Sequence, residues 1–312
     1  MKKVYDGIIG LAIGDAMGVP VEFESRQENA ENPVVTMRGY GTHNKPTGTW
    51  SDDTSLTLAL MDSIADNKQI VYTDIMDRFS NWLMYNDYTA DGEVFDVGNS
   101  TARAIMNYGR GINPLKCGGA SEYENGNGSL MRILPIAYYL RKQPNLTINY
   151  QMEVIHNISA LTHRHPISLI GCGIYINIAM VLLENRLSLH ESVEYAIKTA
   201  INYYESEAWD NVNAYVRLKD LSGFSELTEK EIKSTGYIVH TLEAALWCLL
   251  NTDTYAECVL KAVNLGDDTD TTGAVVGGLA GIYYGVDKIP KEWLNVLAKR
   301  RYIEELCEKY SI

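Results

Sequence analysis

Three aspartates stand within four residues in the stretch Asn264-Leu265-Gly266-Asp267-Asp268-Thr269-Asp270-Thr271-Thr272-Gly273-Ala274. The predicted helix 271–284 carries glycine at positions 273, 277, 278 and 281, so one of its faces has almost no side chains. A glycine inside a helix costs up to about 1 kcal/mol relative to alanine. Close backbone packing against another helix would offset this cost and would fix the acidic cluster against its neighbours. A tight helix crossing without a catalytic role fits the same pattern.

Helical patterning extends over most of the chain. Leu56, Leu60 and Ile64 recur at four-residue steps, the spacing of one helix face, on a helix predicted to run to about residue 67. The other predicted helices are 71–85, 101–108, 131–140, 150–162, 167–184, 188–205, 230–251, 254–264 and 291–310. Strand-like alternation is scarce, with 34–37 as a candidate. Because no Pro-rich or Gly/Ser-rich linker divides the chain, we predict an all-α fold that forms one domain over residues 1–312.

The composition is that of an acidic globular protein. The 312 residues are 46% hydrophobic, and 27 basic against 40 acidic side chains give a net charge of −13, which argues against nucleic-acid binding through a basic surface. Five scattered cysteines without a C-x-x-C pair favour reduced thiols in a cytoplasmic protein over disulfides or a zinc site. The start lacks a signal peptide's apolar core. The apolar run 167–183 is short for a membrane span, so we expect a buried helix, no membrane association and, as the simplest state, a monomer.

Another acidic cluster, Ser51-Asp52-Asp53-Thr54, lies more than two hundred residues earlier. In chain order it is the first acidic cluster, and 267–271 is the second. Ser51 is a good helix N-cap, and carboxylates in a first turn are stabilised by the helix dipole, so capping alone would explain this cluster. Carboxylates packed beside hydroxyls are also hard oxygen ligands, which suit Mg²⁺, Mn²⁺ or Ca²⁺. Like charges this close cost stability unless a cation lies among them. If both clusters meet in the fold, they can hold two cations.

Two further segments could contact an anion or a metal. The stretch 126–132, Gly-Asn-Gly-Ser-Leu-Met-Arg, is a glycine-rich turn before a predicted helix, an arrangement that presents N–H groups to anions. Turn geometry alone would also explain the glycines, and Arg132 could be a surface or core ion-pair residue. His163 and His165 precede Pro166, which should end the preceding helix. They could bind a metal, or they could be buried hydrogen-bonding side chains.

Two more carboxylates lie in polar junctions. Glu22 is flanked by Val21 and Phe23, and burial among apolar neighbours would raise its pKa and suit it to proton transfer; a surface glutamate is the alternative. Asp96 lies in the loop 95–101 before a predicted helix, which Asp96 or Ser100 could simply cap.

Taken together, these six segments resemble the ADP-ribosylglycohydrolase family. The matching patterns are G-D-A-x-G-x-P-x-E at 14–22, S-D-D-T at 51–54, D-x-G-x-x-T at 96–101, G-N-G-x-x-M-R at 126–132, T-H-x-x-P at 162–166 and D-T-D-T-x-G-A at 268–274. They fall in the family's order and span residues 7 to about 285. One departure is Asp267, where family members often have a second glycine. It adds a charge beside the site but should not abolish metal coordination.

The resemblance implies an all-α fold with two Mg²⁺ or Mn²⁺ ions at the base of a cleft. The metal ligands it implies are Ser51, Asp52, Asp53, Asp268, Asp270 and Thr271. The substrate-binding residues it implies are Asn99, Gly126, Asn127, Gly128, Ser129, Met131 and His163, the last at the ribose–phosphate region. The catalytic residues it implies are Glu22, Asp52 and Asp96, with Glu22 and Asp96 near the scissile bond or the departing group.

The expected activity is cleavage of the bond between ADP-ribose and an acceptor at the ribose C1″. Four metal-site aspartates carry −4 and two divalent ions +4, so a nearly neutral site could accept a diphosphate. Water would attack C1″ or a ring-opened intermediate, with Glu22 or a metal-bound aspartate handling the proton. The chain's modest length and compact motif spacing favour the dinitrogenase reductase-activating type and therefore an arginine acceptor on protein. Serine-linked or small-molecule conjugates remain alternatives.

Two other classes fit parts of the pattern. Isoprenoid synthases are all-α and bind diphosphate through aspartates and Mg²⁺, but their D-D-x-x-D pattern would require an acidic residue where this chain has Leu56. A non-catalytic, ADP-ribose-binding member of the same family should lack ligands, whereas all six ligand positions here carry oxygen side chains.

Overall fold

Two glycine-rich helices cross at the centre of the structure, a computed structural model that describes residues 2–143 and 145–311. Helix α1, Lys2–Gly18, packs along α13, Thr269–Tyr284. A Cβ atom added to Gly14 would lie 2.0 Å from the carbonyl oxygen of Gly273, and one added to Gly10 would lie 2.3 Å from that of Gly277. The backbones therefore touch, which confirms the close packing expected from the glycine pattern and identifies α1 as the partner helix.

Helices surround this pair on several sides. They are α2 Arg26–Glu31, α3 Asp52–Asn67, α4 Tyr72–Tyr85, α5 Asn99–Gly109, α6 Pro135–Arg141, α7 Ile148–Ala160, α8 Pro166–Glu184, α9 Leu189–Ser206, α10 Leu221–Ser225, α11 Ile238–Leu250, α12 Tyr255–Val263, α14 Lys291–Val296 and α15 Arg300–Ser311. Within the described residues, β structure is limited to isolated bridges. The all-α prediction is confirmed, and the predicted strand at 34–37 is wrong because that segment is irregular.

Three predicted helices differ most from the observed ones, and others shift by one or two residues at an end. The predicted helix 291–310 is two helices, because the Ala298 N–H donates to the Gly48 carbonyl and Lys299 adopts a left-handed φ of 44°. The predicted helix 230–251 begins only at Ile238. The predicted helix 131–140 begins at Pro135, because the preceding residues form turns in which the N–H groups of Leu130 and Met131 donate to the Asn127 carbonyl.

Two segments are long and apolar enough to cross a membrane by length and composition, Lys3–Val21 and Pro166–Glu184. Their apolar windows are 94% and 67% buried inside the fold. Core helices pass the same test, and the predicted buried helix at 167–184 is confirmed as part of the core.

Candidate active site

The first acidic cluster is held by a carboxylate from α1. Asp15 is fully buried, and its side chain accepts hydrogen bonds from the Ser51 N–H (2.8 Å), the Thr54 N–H (3.0 Å) and the Thr54 hydroxyl (2.6 Å). Ser51 caps α3 as predicted, with its hydroxyl accepting from the Asp53 N–H (3.4 Å). Because Asp15 and Ser51 accept hydrogen bonds from the N–H groups at the start of this helix, Asp52 and Asp53 are not needed as caps.

The second cluster starts α13 without capping it. Asp268 occupies the N-cap position but makes no side-chain capping bond; instead its Oδ2 accepts from the Asn127 amide (2.8 Å). Asp270 is fully buried in the first turn beside Gly18, where a Cβ atom would lie 2.3 Å from the Asp270 nitrogen. Helix α1 therefore positions both acidic clusters, through Asp15 at one and Gly18 at the other.

The two clusters meet at the floor of one cleft. The Thr271 hydroxyl donates to Asp53 Oδ2 (3.4 Å) across 218 residues of sequence. Carboxylate oxygens of Glu22, Asp268 and Asp270 lie within 4.8 Å of one another. The two acidic clusters therefore lie together in the fold, as expected from the sequence.

Three carboxylate oxygens in this floor provide a test of whether a metal fits. Asp53 Oδ1, Asp268 Oδ1 and Asp270 Oδ2 are buried without a hydrogen-bond partner among the described residues. Buried charged oxygens without partners are costly, and oxygens of this type are the ligands that Mg²⁺ and Mn²⁺ prefer. The donor set therefore fits divalent cations better than it fits a purely structural role.

Without a bound cation, the pKa values of the site carboxylates are strongly shifted. Burial raises the pKa of Glu22 to about 7 and that of Asp15 to about 6. The pKa values of Asp52, Asp53 and Asp270 are raised well above their ordinary range, first by burial and then by neighbouring carboxylates. Metal-free protein should therefore hold protons that a divalent cation would displace.

These shifts predict a pH dependence for the metal-free protein. A carboxyl with a raised folded-state pKa binds more protons folded than unfolded, so its contribution to stability is complete below the unfolded pKa and is lost as pH rises through the folded pKa. We expect the melting temperature in EDTA to fall between pH 5.5 and 8, and Mg²⁺ to raise it more at pH 8 than at pH 5.5. Thermal melts at both pH values measure this; greater stabilisation by Mg²⁺ at pH 5.5 would contradict it.

The cleft above this floor has a volume of about 460 Å³. The predicted site residues that line it are Glu22, Asp52, Asp96, Asn99, Gly126, Asn127, Gly128, Met131, His163, Asp268 and Thr271. The glycine loop is anchored to the floor, because Asn127 donates to both Asp268 and the Thr241 hydroxyl. Asp96 does not cap α5, whose N-cap is Gly98. The cleft thus joins the acidic floor to the glycine-rich wall expected for an anionic group.

Some predicted side chains point elsewhere. Ser129 is fully buried and bonds to Ser159 (2.8 Å) and Cys172 (3.4 Å), so its hydroxyl points into the core behind the cleft wall. His165 caps α8, with its Nδ1 accepting from the Ile167 N–H (3.3 Å). Of the two histidines, His163 is the one that lines the cleft.

His43 is a site residue that was not predicted from the sequence. Its Nε2 contacts the Glu22 carboxylate, and this bond raises the pKa of His43. Glu22, His43 and an oxygen of Asp96 form a second group with atoms within 4.8 Å. His43 is the last residue of a short 3₁₀ helix, Gly41–His43, where neither periodicity nor a motif marks it.

Asp267, the departure from the family pattern, has an exposed side chain and a left-handed φ of 60°, a conformation that glycine adopts most readily. Its carbonyl accepts from the Phe23 N–H (2.7 Å) and its N–H donates to the Glu24 carbonyl (2.8 Å). These bonds dock the Glu22 segment beside the second acidic cluster.

Comparisons with known proteins agree with this geometry. The family model of ADP-ribosylglycohydrolase matches residues 1–312. The chain is 31% identical to ADP-ribosylarginine hydrolase Tri1 of Serratia proteamaculans, over 99% of this chain and 79% of that one. It is 33% identical to the ADP-ribosyl-[dinitrogen reductase] glycohydrolase of Rhodospirillum rubrum, over 95% of this chain and 90% of that one.

A solved structure described as an ADP-ribosylglycohydrolase-related protein complex superposes with a TM-score of 0.77 at 32% identity, covering 99% of this chain and 96% of the other. The sequence likeness, the shared fold and the meeting of the two acidic clusters at one cleft agree with one another. This chain belongs to the ADP-ribosylglycohydrolase family.

Proposed function

We propose that this protein hydrolyses the bond between ADP-ribose and an arginine side chain on a protein, with two Mg²⁺ or Mn²⁺ ions. The observation that carries the proposal is a set of three buried carboxylate oxygens, on Asp53, Asp268 and Asp270. They have no hydrogen-bond partner among the described residues and lie at or behind the lining of a cleft with a glycine-rich wall. The names of the relatives from Serratia proteamaculans and Rhodospirillum rubrum support arginine as the acceptor and ADP-ribosylated protein as the substrate.

In this proposal six oxygen-bearing residues hold the cations. They are Ser51, Asp52, Asp53, Asp268, Asp270 and Thr271, and the two ions offset the charge of the four aspartates. Bound divalent ions would supply positive charge and a polarised water. Asn127 keeps Asp268 aligned. The start of α3, capped by Asp15 and Ser51, keeps Asp52 in the cleft lining and Asp53 beside Thr271.

The substrate would lie along the cleft wall. The loop 126–128 and Met131 would contact the ADP-ribose, and His163 would contact its ribose–phosphate region. Arg103, which pairs with Glu124 at 3.0 Å, adds a positive side chain to the wall. Because the chain carries a net charge of −13, such local positive groups help the cleft to accept a diphosphate.

Glu22 is the proposed proton-transfer residue, with Asp96 beside it. Glu22 is buried beside Asp96, and without a bound cation burial raises its pKa to about 7, so the group can exchange a proton more readily than an ordinary glutamate. His43 holds the carboxylate from the side, so the group is fixed in orientation. Glu22 could then transfer a proton between attacking water and the departing arginine.

Replacing Glu22 with glutamine tests this role. The amide keeps the size of the side chain but cannot exchange a proton, so we expect kcat to fall about 10²- to 10⁴-fold, the range of general acid–base catalysis. Binding of ADP-ribose should change far less. Steady-state kinetics and calorimetry measure the two effects, and full turnover by Glu22→Gln would remove Glu22 from proton transfer.

The proposed activity is tested by release of free ADP-ribose from two substrates, ADP-ribosylated on arginine or on serine, with Mg²⁺, Mn²⁺ or EDTA. Metal-dependent release from the arginine conjugate supports the proposal. Release from the serine conjugate alone would reassign the acceptor. Tight ADP-ribose binding without release from either would favour a non-catalytic binding protein.

The remaining expectations stay proposals as well. We propose that residues 1–312 act as one domain, because α1 at one end packs on α13 and α15 at the other end packs on α1 and α3. We also propose a cytoplasmic monomer that binds neither nucleic acid nor membrane. The acidic charge and the five buried free cysteines support this.

A further inference from the structure

Arg132 is a buried cation that makes no salt bridge among the described residues. It is 0% exposed, and the salt bridges of the described residues include no carboxylate within 4.0 Å of it. Its guanidinium lies over the Phe79 ring, 4.9 Å from the centroid. Burial lowers its pKa to about 10, so it stays charged at neutral pH. Burying an unpaired charge is costly, which suggests that this position has a purpose other than stability.

The strongest hydrogen bond of Arg132 leads towards the cleft. Its Nη2 donates to the Thr162 hydroxyl at 2.6 Å, and the same oxygen lies 2.9 Å from His163 Nδ1. A guanidinium can only donate, so the Thr162 oxygen accepts from it. Among the described residues, Nδ1 is then the acceptor within reach of the Thr162 hydroxyl hydrogen. If Nδ1 carried a hydrogen instead, the Thr162 oxygen would accept from both groups, and its own hydrogen would have no acceptor among the hydrogen bonds of the described residues.

The other ring nitrogen of His163 faces the glycine loop. A Cβ atom added to Gly128 would lie 2.7 Å from His163 Cε1 and 3.3 Å from Nε2, and one added to Gly126 would lie 3.7 Å from Nε2. The ring lines the cleft. Burial and the charge of Arg132 lower the pKa of His163 to about 3, so the ring is neutral and carries one hydrogen.

We infer that Arg132 and Thr162 form a positioning pair that holds His163 as the Nε2–H tautomer, so that it presents a hydrogen-bond donor to an anionic or hydroxyl oxygen of the substrate. The pair touches no substrate itself and acts through the imidazole. The identity of the substrate oxygen rests on the proposed function. The tautomer itself is a property of the free protein and can be measured without any substrate.

Thr162→Val removes the hydroxyl while keeping the shape of the side chain, and Thr162→Ser keeps the hydroxyl. In ¹⁵N-histidine-labelled protein with Mg²⁺, we expect His163, assigned with His163→Gln, to show the Nε2–H tautomer in the wild type and in Thr162→Ser. Thr162→Val should give a mixture or the Nδ1–H form. Thr252→Val, in which a threonine hydroxyl bonded to the Cys248 carbonyl is lost away from the cleft, should leave the tautomer unchanged.

Arg132→Met should also raise the fraction of the Nδ1–H form, because the donor that directs the Thr162 hydroxyl is gone. If that variant does not fold, the comparison of Thr162→Val with Thr162→Ser tests the inference. An Nδ1–H tautomer in the wild type, or an unchanged tautomer in Thr162→Val, overturns the inference. A change in overall packing alone would not shift the tautomer in Thr162→Val and leave it as in the wild type in Thr162→Ser.

Binding gives a second readout. Loss of one hydrogen bond to a charged acceptor predicts a roughly tenfold weaker Kd for ADP-ribose in Thr162→Val, with recovery in Thr162→Ser. Equal affinity in all three proteins overturns the role in substrate binding. Because the tautomer is read in the free protein, absence of hydrolysis would count against the proposed function while the Nε2–H signature still supports the positioning pair.

Discussion

Replacing Asp270 with asparagine is expected to abolish both metal binding and ADP-ribose release. Asp270 Oδ2 is buried beside the carboxylates of Glu22 and Asp268 and has no hydrogen-bond partner in the described part of the chain. An amide removes its charge. Loss of a metal-borne charge at the reacting bond corresponds to several kcal/mol, so activity should fall by ~10³-fold or more. Calorimetric titration with Mn²⁺ and the ADP-ribose release assay measure the two losses together.

The same substitution should not damage the fold. Neighbouring carboxylates, Glu22 first, add to burial in raising the pKa of Asp270, so a neutral side chain relieves repulsion in the metal-free protein. The asparagine oxygen can still accept from the Thr271 N–H, as Asp270 Oδ1 does at 2.8 Å. We therefore expect Asp270→Asn in EDTA to melt no lower than the wild type in EDTA, which separates loss of metal from unfolding.

Asp267→Asn is the matched control. It makes the same chemical change three residues away, but the Asp267 side chain is exposed, and asparagine tolerates its left-handed backbone. Metal affinity and activity should change less than about twofold, within the usual effect of a surface substitution. Unchanged metal binding in Asp270→Asn, or equal losses in both variants, would refute the two-metal assignment at this cluster.

The fold class and the meeting of the clusters could be predicted because their signals are local or paired. Carboxylates and hydroxyls in the clusters around Asp53 and Asp270 mark hard-ligand chemistry wherever they lie, and the glycine face of α13 required a close partner. The sequence did not say that α1 was that partner. Its own glycines, at positions such as 10 and 14, became meaningful only once the crossing with α13 was known.

What could not be predicted depends on long-range contacts. Asp15 was visible in a motif, but its bonds to Ser51 and Thr54 depend on how α1 meets α3. At the break between α14 and α15, Ala298 bonds through its N–H to Gly48 and through its carbonyl to the Trp50 side chain (3.0 Å). Helix α11 starts later than predicted because the backbone before it bonds to another segment: the Ser234 carbonyl accepts from the Asp268 N–H (3.0 Å). Tertiary hydrogen bonds override helical periodicity at these points.

Gly273→Ala is expected to destabilise the fold strongly, because it adds a methyl group at the crossing of α1 and α13. The new Cβ atom would lie 2.4 Å from the Gly14 carbonyl oxygen and 2.9 Å from its carbon. Both are backbone atoms, so α1 and α13 must move apart rather than one side chain rotate. Overpacking of a core costs about 1–3 kcal/mol and occasionally more, and we expect the upper end. Thermal or urea unfolding should show a loss of about 3 kcal/mol.

The separation of α1 from α13 should also disturb the metal site. Gly273 lies three residues after Asp270, and α1 carries Asp15, which satisfies the start of α3. Separating the helices therefore changes the spacing between the two acidic clusters, and Mn²⁺ affinity should fall even in the fraction that stays folded. Gly109→Ala is the control, because a Cβ atom there meets nothing within 4 Å and alanine favours the helix by up to about 1 kcal/mol. Equal stability of the two variants would show that the crossing tolerates separation and that its glycines are not what holds the clusters together.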